Sequence, residues 1–176
     1  MWLYIIVNGV INATVSFLAW RGINNMPIFH IYTILEFIVI SFFFKSVHNN
    51  KLYTLFSCII LLIFIILSVI NSIFIQGIWI FNTYSRSIEA VILIGYCIFG
   101  LIQLINKMDS FNNSVFWYTS GLLVYFSASF VLFIVANLTL GIDKSLNWIL
   151  WHIHAFMVFI LYIFITKGFY LGKRRG

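Results

Sequence analysis

The sequence predicts an all-α integral membrane bundle of about six helices, and three observations carry that prediction. Apolar residues make up 63% of the chain and charged residues 8%, with a mean hydropathy of +1.08. Soluble chains hold about 45–50% and about 25%, and the core of one 176-residue soluble domain could not hide the excess. The apolar residues fall into runs that suit helical spans of about 20 residues, too long and too little alternating for barrel strands. Trp2, Trp20, Trp79, Trp117, Trp148 and Trp151 sit at or near the ends of those runs, where indole rings favour the headgroup level.

The first span, about 2–20, is interrupted by Asn8, Gly9 and Asn12. It lacks the positive leader of a secretory signal, so it reads as a retained helix, with a five-span chain as the alternative. The second, 27–45, opens at Pro27, whose missing N–H suits a first helical turn. The third, 52–75, is continuous, and the fourth, 88–105, follows the polar stretch "QGIWIFNTYSRS". The fifth, 117–140, and the sixth, 149–169, flank "GIDKSLNW". The separators concentrate Asn, Ser, Gly and charge, the residues that punctuate structure. Residues 1–176 therefore read as a single transmembrane domain with no repeat and no loop long enough to fold alone.

Charge sets the expected orientation. Six spans put Lys45, Lys51, Lys107, Lys167, Lys173, Arg174 and Arg175 on one side, and Arg21, Arg86 and Lys144 on the other. The positive-inside rule then places both termini in the cytoplasm. The net charge of +6 is dispersed between apolar runs, which argues against a nucleic-acid partner. Cys58 and Cys97, each within an apolar run, read as free thiols.

Ionisable groups inside such runs are costly and mark candidate sites. Glu36 lies nine residues beyond Pro27, about 13 Å into a core of about 30 Å. Tyr32 and Thr33 share its helical face and His30 does not. Glu36 thus reads as a solitary mid-membrane carboxyl, either a proton or cation site or an anchor for a ligand's amine, or else a neutral, protonated carboxyl bonded to an Asn, Ser or Tyr of another helix. His30, Arg86, Glu89, His152 and His154 fall near the expected outer ends of three helices and suggest a polar layer there. Arg86 and Glu89, three apart, read as a local pair at headgroup level. His152 and His154 diverge by about 200° on a helix and cannot share one metal. No two-ligand helical spacing, phosphate loop or nucleophile elbow occurs, so no cofactor is assigned.

The stretches "NNMPIFHIYTILEF", "FWYTSGLLVYFSASFVLFIVANL" and "WHIHAFMVFILYIFITKGFY" resemble a group of small multi-pass membrane proteins of the Bacteroidetes. The resemblance implies a helical membrane fold and carries over no catalytic residue. Three functions remain open at this point. The first is a bacterial inner-membrane accessory, sensory or regulatory protein acting in the bilayer through a protein partner, as in signalling or defence systems, or through a homo-oligomer. The second is a metal-dependent lipid hydrolase using His30, Glu89 and His152 or His154. The third is a small channel or proton-coupled carrier using Glu36.

Overall fold

The computed structural model describes residues 1–48, 50–106, 113–142 and 144–175, with the side chains of 139–142, 144 and 175 set aside. Among these residues the chain is all helix, without a strand. The helices are α1 (Trp2–Trp20), α2 (Met26–Val47), α3 (Lys51–Ile70, extended by a π-turn at Asn71–Ile75), α4 (Thr83–Ile105), α5 (Ser114–Ile142) and α6 (Lys144–Arg175). All six are long and apolar enough to cross a membrane. Lys107 and the side chains of Lys144 and Arg175, on which part of the expected orientation rests, lie outside the described residues.

The polar separators cap helices. Asn24 Oδ1 accepts the Met26 N–H at 2.9 Å, Asn50 Oδ1 the Leu52 N–H at 2.8 Å, and Asn113 Oδ1 the Val115 N–H at 2.9 Å. Each amide oxygen satisfies a donor that the first helical turn leaves without an intrahelical partner. At the other end of α1, Gly22 adopts φ 70°. Its N–H bonds to Ala19 O at 3.0 Å and the Ile23 N–H to Leu18 O at 2.9 Å, a Schellman stop that a Cβ would strain.

Several helices extend beyond the expected spans, the sixth running Lys144–Arg175 rather than 149–169. The fourth starts at Thr83 rather than 88, because the polar residues that end the hydropathic run find partners inside the protein. Ser85 Oγ accepts from Asn71 and Thr83 Oγ1 from Gln76. With those groups satisfied, polarity no longer opposes burial of the first turn.

The chain packs as two compact units, Met1–Glu89 and Ala90–Gly176, divided within α4. In the first, Phe37, Ile40, Phe44 and Phe64 form an apolar core, with the Phe37 and Phe64 rings 4.1 Å apart. Its outward surface is also apolar: Phe74 is 79% and Trp20 77% exposed. Water would penalise that arrangement and lipid tails do not.

In the second unit α5 and α6 lie side by side, and glycine sets their separation. A Cβ on Gly121 would stand 2.6 Å from Phe164 Cβ, and one on Gly168 would enter the Tyr118 ring. Small residues let helix backbones approach closely where burial of apolar surface supplies no drive. Aromatic pairs extend the seam, Trp117 with Phe164 at 5.7 Å and Tyr118 with Phe169 at 5.4 Å.

Candidate functional site: a buried Glu–Arg–Glu cluster

Glu36 does not stand alone. Its position near the middle of α2 directs it towards α1 and α4, and three donors converge on it. Tyr4 Oη donates to Oε1 at 3.0 Å from α1, and Tyr32 Oη donates to the same oxygen at 2.8 Å from one turn earlier in α2. Arg86 Nη1 donates to Oε2. The same Nη1 donates to Glu89 Oε2 at 2.7 Å. All three ionisable residues are closed from solvent, at 1% exposure for Glu36, 3% for Arg86 and 0% for Glu89.

Arg86 reaches this depth because the chain before it is set against α2. Asn82 Nδ2 donates to Thr33 Oγ1 at 2.7 Å, which places the entry to α4 beside the second turn of α2. One turn further along both helices, Arg86 meets Glu36. Its guanidinium also stacks on the Tyr32 ring, 5.1 Å from the centroid. The local Arg86–Glu89 pair expected from the spacing is present, buried, and Arg86 bridges it to Glu36 as well. Sequence spacing shows the three-residue step to Glu89. It cannot show the step of 50 residues to Glu36.

Tyr32 imposes a proton count. Its hydroxyl lies 2.8 Å from Glu36 Oε1 and 2.7 Å from Asn8 Oδ1, yet it carries one proton. The hydroxyl is thus shared between the two acceptors, pointing its proton at one of them at a time. Asn8 Oδ1 also accepts from Asn12 Nδ2 at 3.3 Å. Asn12 keeps its 2.8 Å bond to the Asn8 carbonyl. A row of polar groups thus runs from Glu36 through Tyr32 and Asn8 to the exposed Asn12. The sequence reading missed Tyr4. Its spacing from Asn8, one turn apart on α1, was the available signal.

Charge does not balance within the cluster. Two carboxyl groups share one guanidinium, so full ionisation leaves one negative charge away from water. Glu36 receives donors on both oxygens, whereas Glu89 Oε1 has no hydrogen-bond partner among the described residues. A bare buried carboxylate oxygen is expensive, and one bound proton or cation removes the imbalance.

The histidines have partners of their own. His30, buried in α2, bonds through Nε2 to Ile80 O at 3.0 Å and through Nδ1 to Ser72 Oγ at 2.6 Å. The carbonyl can only accept, so Nε2 carries a proton, and both ring nitrogens are engaged in fastening the π-turn and the following connection to α2. In the second unit, His154 sits among Tyr125, Phe133 and Trp151, with Nδ1 3.2 Å from Ser129 Oγ. His152 is exposed and bonds to Trp148 O of its own helix at 2.7 Å. No three His, Cys, Asp or Glu side chains gather as a metal site among the described residues.

The fold and the cluster define a class: among the described residues, six helices long and apolar enough to cross a membrane and no strand, with a buried charged cluster in the first unit. No protein-family model, curated protein or solved structure matches the chain.

Proposed function

We propose that the chain is a multi-pass bacterial inner-membrane protein of accessory, sensory type in which the Glu36–Arg86–Glu89 cluster carries one exchangeable proton. The carrying observation is the closed cluster of two carboxyl groups and one guanidinium. Intramembrane ionisable groups of this kind are rare and mark proton or ion sites. The donor count assigns the proton to Glu89, because Glu36 already receives donors on both oxygens. Gain and loss of that proton alter the attraction that holds α2 and α4 together through Arg86. A partner protein or a second copy of the chain reads the change on the lipid-facing helices.

Infrared spectroscopy in nanodiscs tests the proton. A protonated-carboxyl band should appear as the pH falls, vanish in Glu89→Gln and, in Glu36→Gln, where Arg86 and Glu89 are left as a balanced pair, appear only at a lower pH than in the wild type. Absence of the band at every pH would refute the reading. Cross-linking in native membranes tests the accessory role, with discrete adducts expected and a monomer alone counting against it.

The polar row from Glu36 to Asn12 favours a second reading, a proton-coupled carrier. Proteoliposomes would then show proton flux that Glu36→Gln removes. Flux absent from the wild type, or unchanged by the substitution, excludes this carrier.

A further inference from the structure

A cleft of about 130 Å³ opens in the first unit beside the π-turn. Phe64, Leu67 and Ile88 wall it, and Ser68, Asn71 and Ser85 supply its polar groups. Leu67, Tyr84 and Ile88 at its edge are exposed, on a surface that is otherwise apolar.

The orientation of the Asn71 amide follows from a chain of bonds that admits one solution. The Tyr84 backbone N–H can only donate, and it lies 3.1 Å from Gln76 Oε1, which fixes the Gln76 amide. Gln76 Nε2 then donates to Thr83 Oγ1 at 3.2 Å. Gln76 Oε1 also accepts at 3.0 Å from Asn71 Nδ2, whose other hydrogen goes to Ser85 Oγ at 3.1 Å. Both Asn71 donors are thereby engaged and its Oδ1 is left over. That oxygen and Ser68 Oγ are buried with no hydrogen-bond partner among the described residues.

Two such groups beside one small cleft ask for a ligand. Asn71 Oδ1 requires a donor, and the Ser68 hydroxyl can donate or accept. No acidic or basic side chain is among the described residues that line the cleft. The volume equals about four waters at liquid density, enough for a hydroxyl and its first few carbons. The π-turn itself is closed by the Gln76 N–H to Asn71 O at 2.9 Å, an irregularity that recurs at functional sites.

We infer that the cleft at Ser68, Asn71 and Ser85 binds the hydroxyl end of an uncharged membrane amphiphile. Its alkyl chain leaves past Leu67 and Ile88 into the bilayer. This site is separate from the protonation of the Glu–Arg–Glu cluster and does not depend on it.

The test uses the full chain in nanodiscs with two probes, a diazirine-bearing dodecanol and its methyl ether, which can accept but not donate. The alcohol should label Leu67, Tyr84 and Ile88 saturably, and plain dodecanol should compete. The ether should label less by about fivefold, the ratio that one net hydrogen bond of about 1 kcal/mol gives. Ser68→Ala should lower alcohol labelling severalfold, and Ile88→Trp, which fills the cleft, should abolish it. Ser68→Ala removes one atom and keeps the test decisive if the larger variant fails to fold. Equal labelling by alcohol and ether, no competition, or no effect of Ser68→Ala overturns the assignment and leaves the cleft to water or lipid tails.

Discussion

Removing the Arg86 guanidinium should be the most damaging single change in the first unit. In Arg86→Met the side chain keeps much of its length and its contact with the Tyr32 ring, but two carboxyl groups lose their shared counter-charge. Stranding a buried partner in this way costs about 3–5 kcal/mol. Glu36→Gln is the informative contrast. The amide oxygen can still accept from Tyr4 and Tyr32, its NH2 then turning towards Arg86 Nη1 in place of the lost acceptor, while Arg86 and Glu89 remain as a balanced pair. Its cost should be about 1 kcal/mol, the scale of one altered hydrogen bond. Combining the two should cost less than the sum, because Arg86→Met in the Glu36→Gln background strands one carboxyl and not two. Tryptophan fluorescence during denaturant titration in mixed micelles would measure all three variants. Acidification should restore part of the Arg86→Met loss, since protons neutralise the stranded groups. Equal losses for Arg86→Met and Glu36→Gln, or strict additivity, would refute the charge-balance argument.

Further outcomes follow from other contacts. His30→Ala removes two hydrogen bonds to the segment between α3 and α4, about 1–3 kcal/mol together, and limited proteolysis should then cut within 76–82 faster than in the wild type. Gly121→Val should separate α5 from α6 and lower stability by about 1–3 kcal/mol in a thermal scan, because overpacking leaves Phe164 nowhere to move. Tyr4→Phe deletes one donor to Glu36, and hydrogen exchange along α1 should rise while that of α3 stays unchanged. For orientation, Asn24→Cys should react with an impermeant maleimide from the periplasm and Lys173→Cys only from the cytoplasm, each in a Cys58→Ser, Cys97→Ala background; the reverse pattern would invert the proposed topology.

The helices were legible because hydropathy is a local quantity, and a run such as 52–75 is apolar whatever surrounds it. Hydropathy failed where polarity is satisfied by distant partners. Residues 83–87 read as a connection because Thr83, Ser85 and Arg86 look unfit for burial, until Gln76, Asn71 and Glu36 are brought to them. Glu36 was legible as exceptional from its depth alone. Its partners were not, since they come from 32 and 50 residues away and no periodicity links α1 or α4 to α2. The partners of His30 were hidden for the same reason. A histidine in an apolar run suggests a ligand, and the fold instead uses both nitrogens to hold a turn and a connection.

The attachment of α1 gives the cluster a route to the surface. Only 11% of that span is buried, and Tyr4 and Asn8 are its buried residues. Tyr4 bonds to Glu36, and Asn8 meets the Tyr32 hydroxyl that donates to Glu36. The buried polar hold of α1 on α2 therefore passes through one carboxyl group, whose acceptor strength depends on the charge beside it. A carboxylate receiving two phenol donors binds them more tightly than a neutral acid does, because charge-assisted hydrogen bonds are about twice as strong as neutral ones. Any change of charge at Glu89 is felt at Glu36 through the shared Arg86 nitrogen, and so at the helix that offers most of its surface to lipid. A helix with so little buried area can shift without dismantling the Phe37–Phe64 core. That division, an apolar core and a lightly buried helix joined at an ionisable cluster, suits the sensory role proposed for the chain.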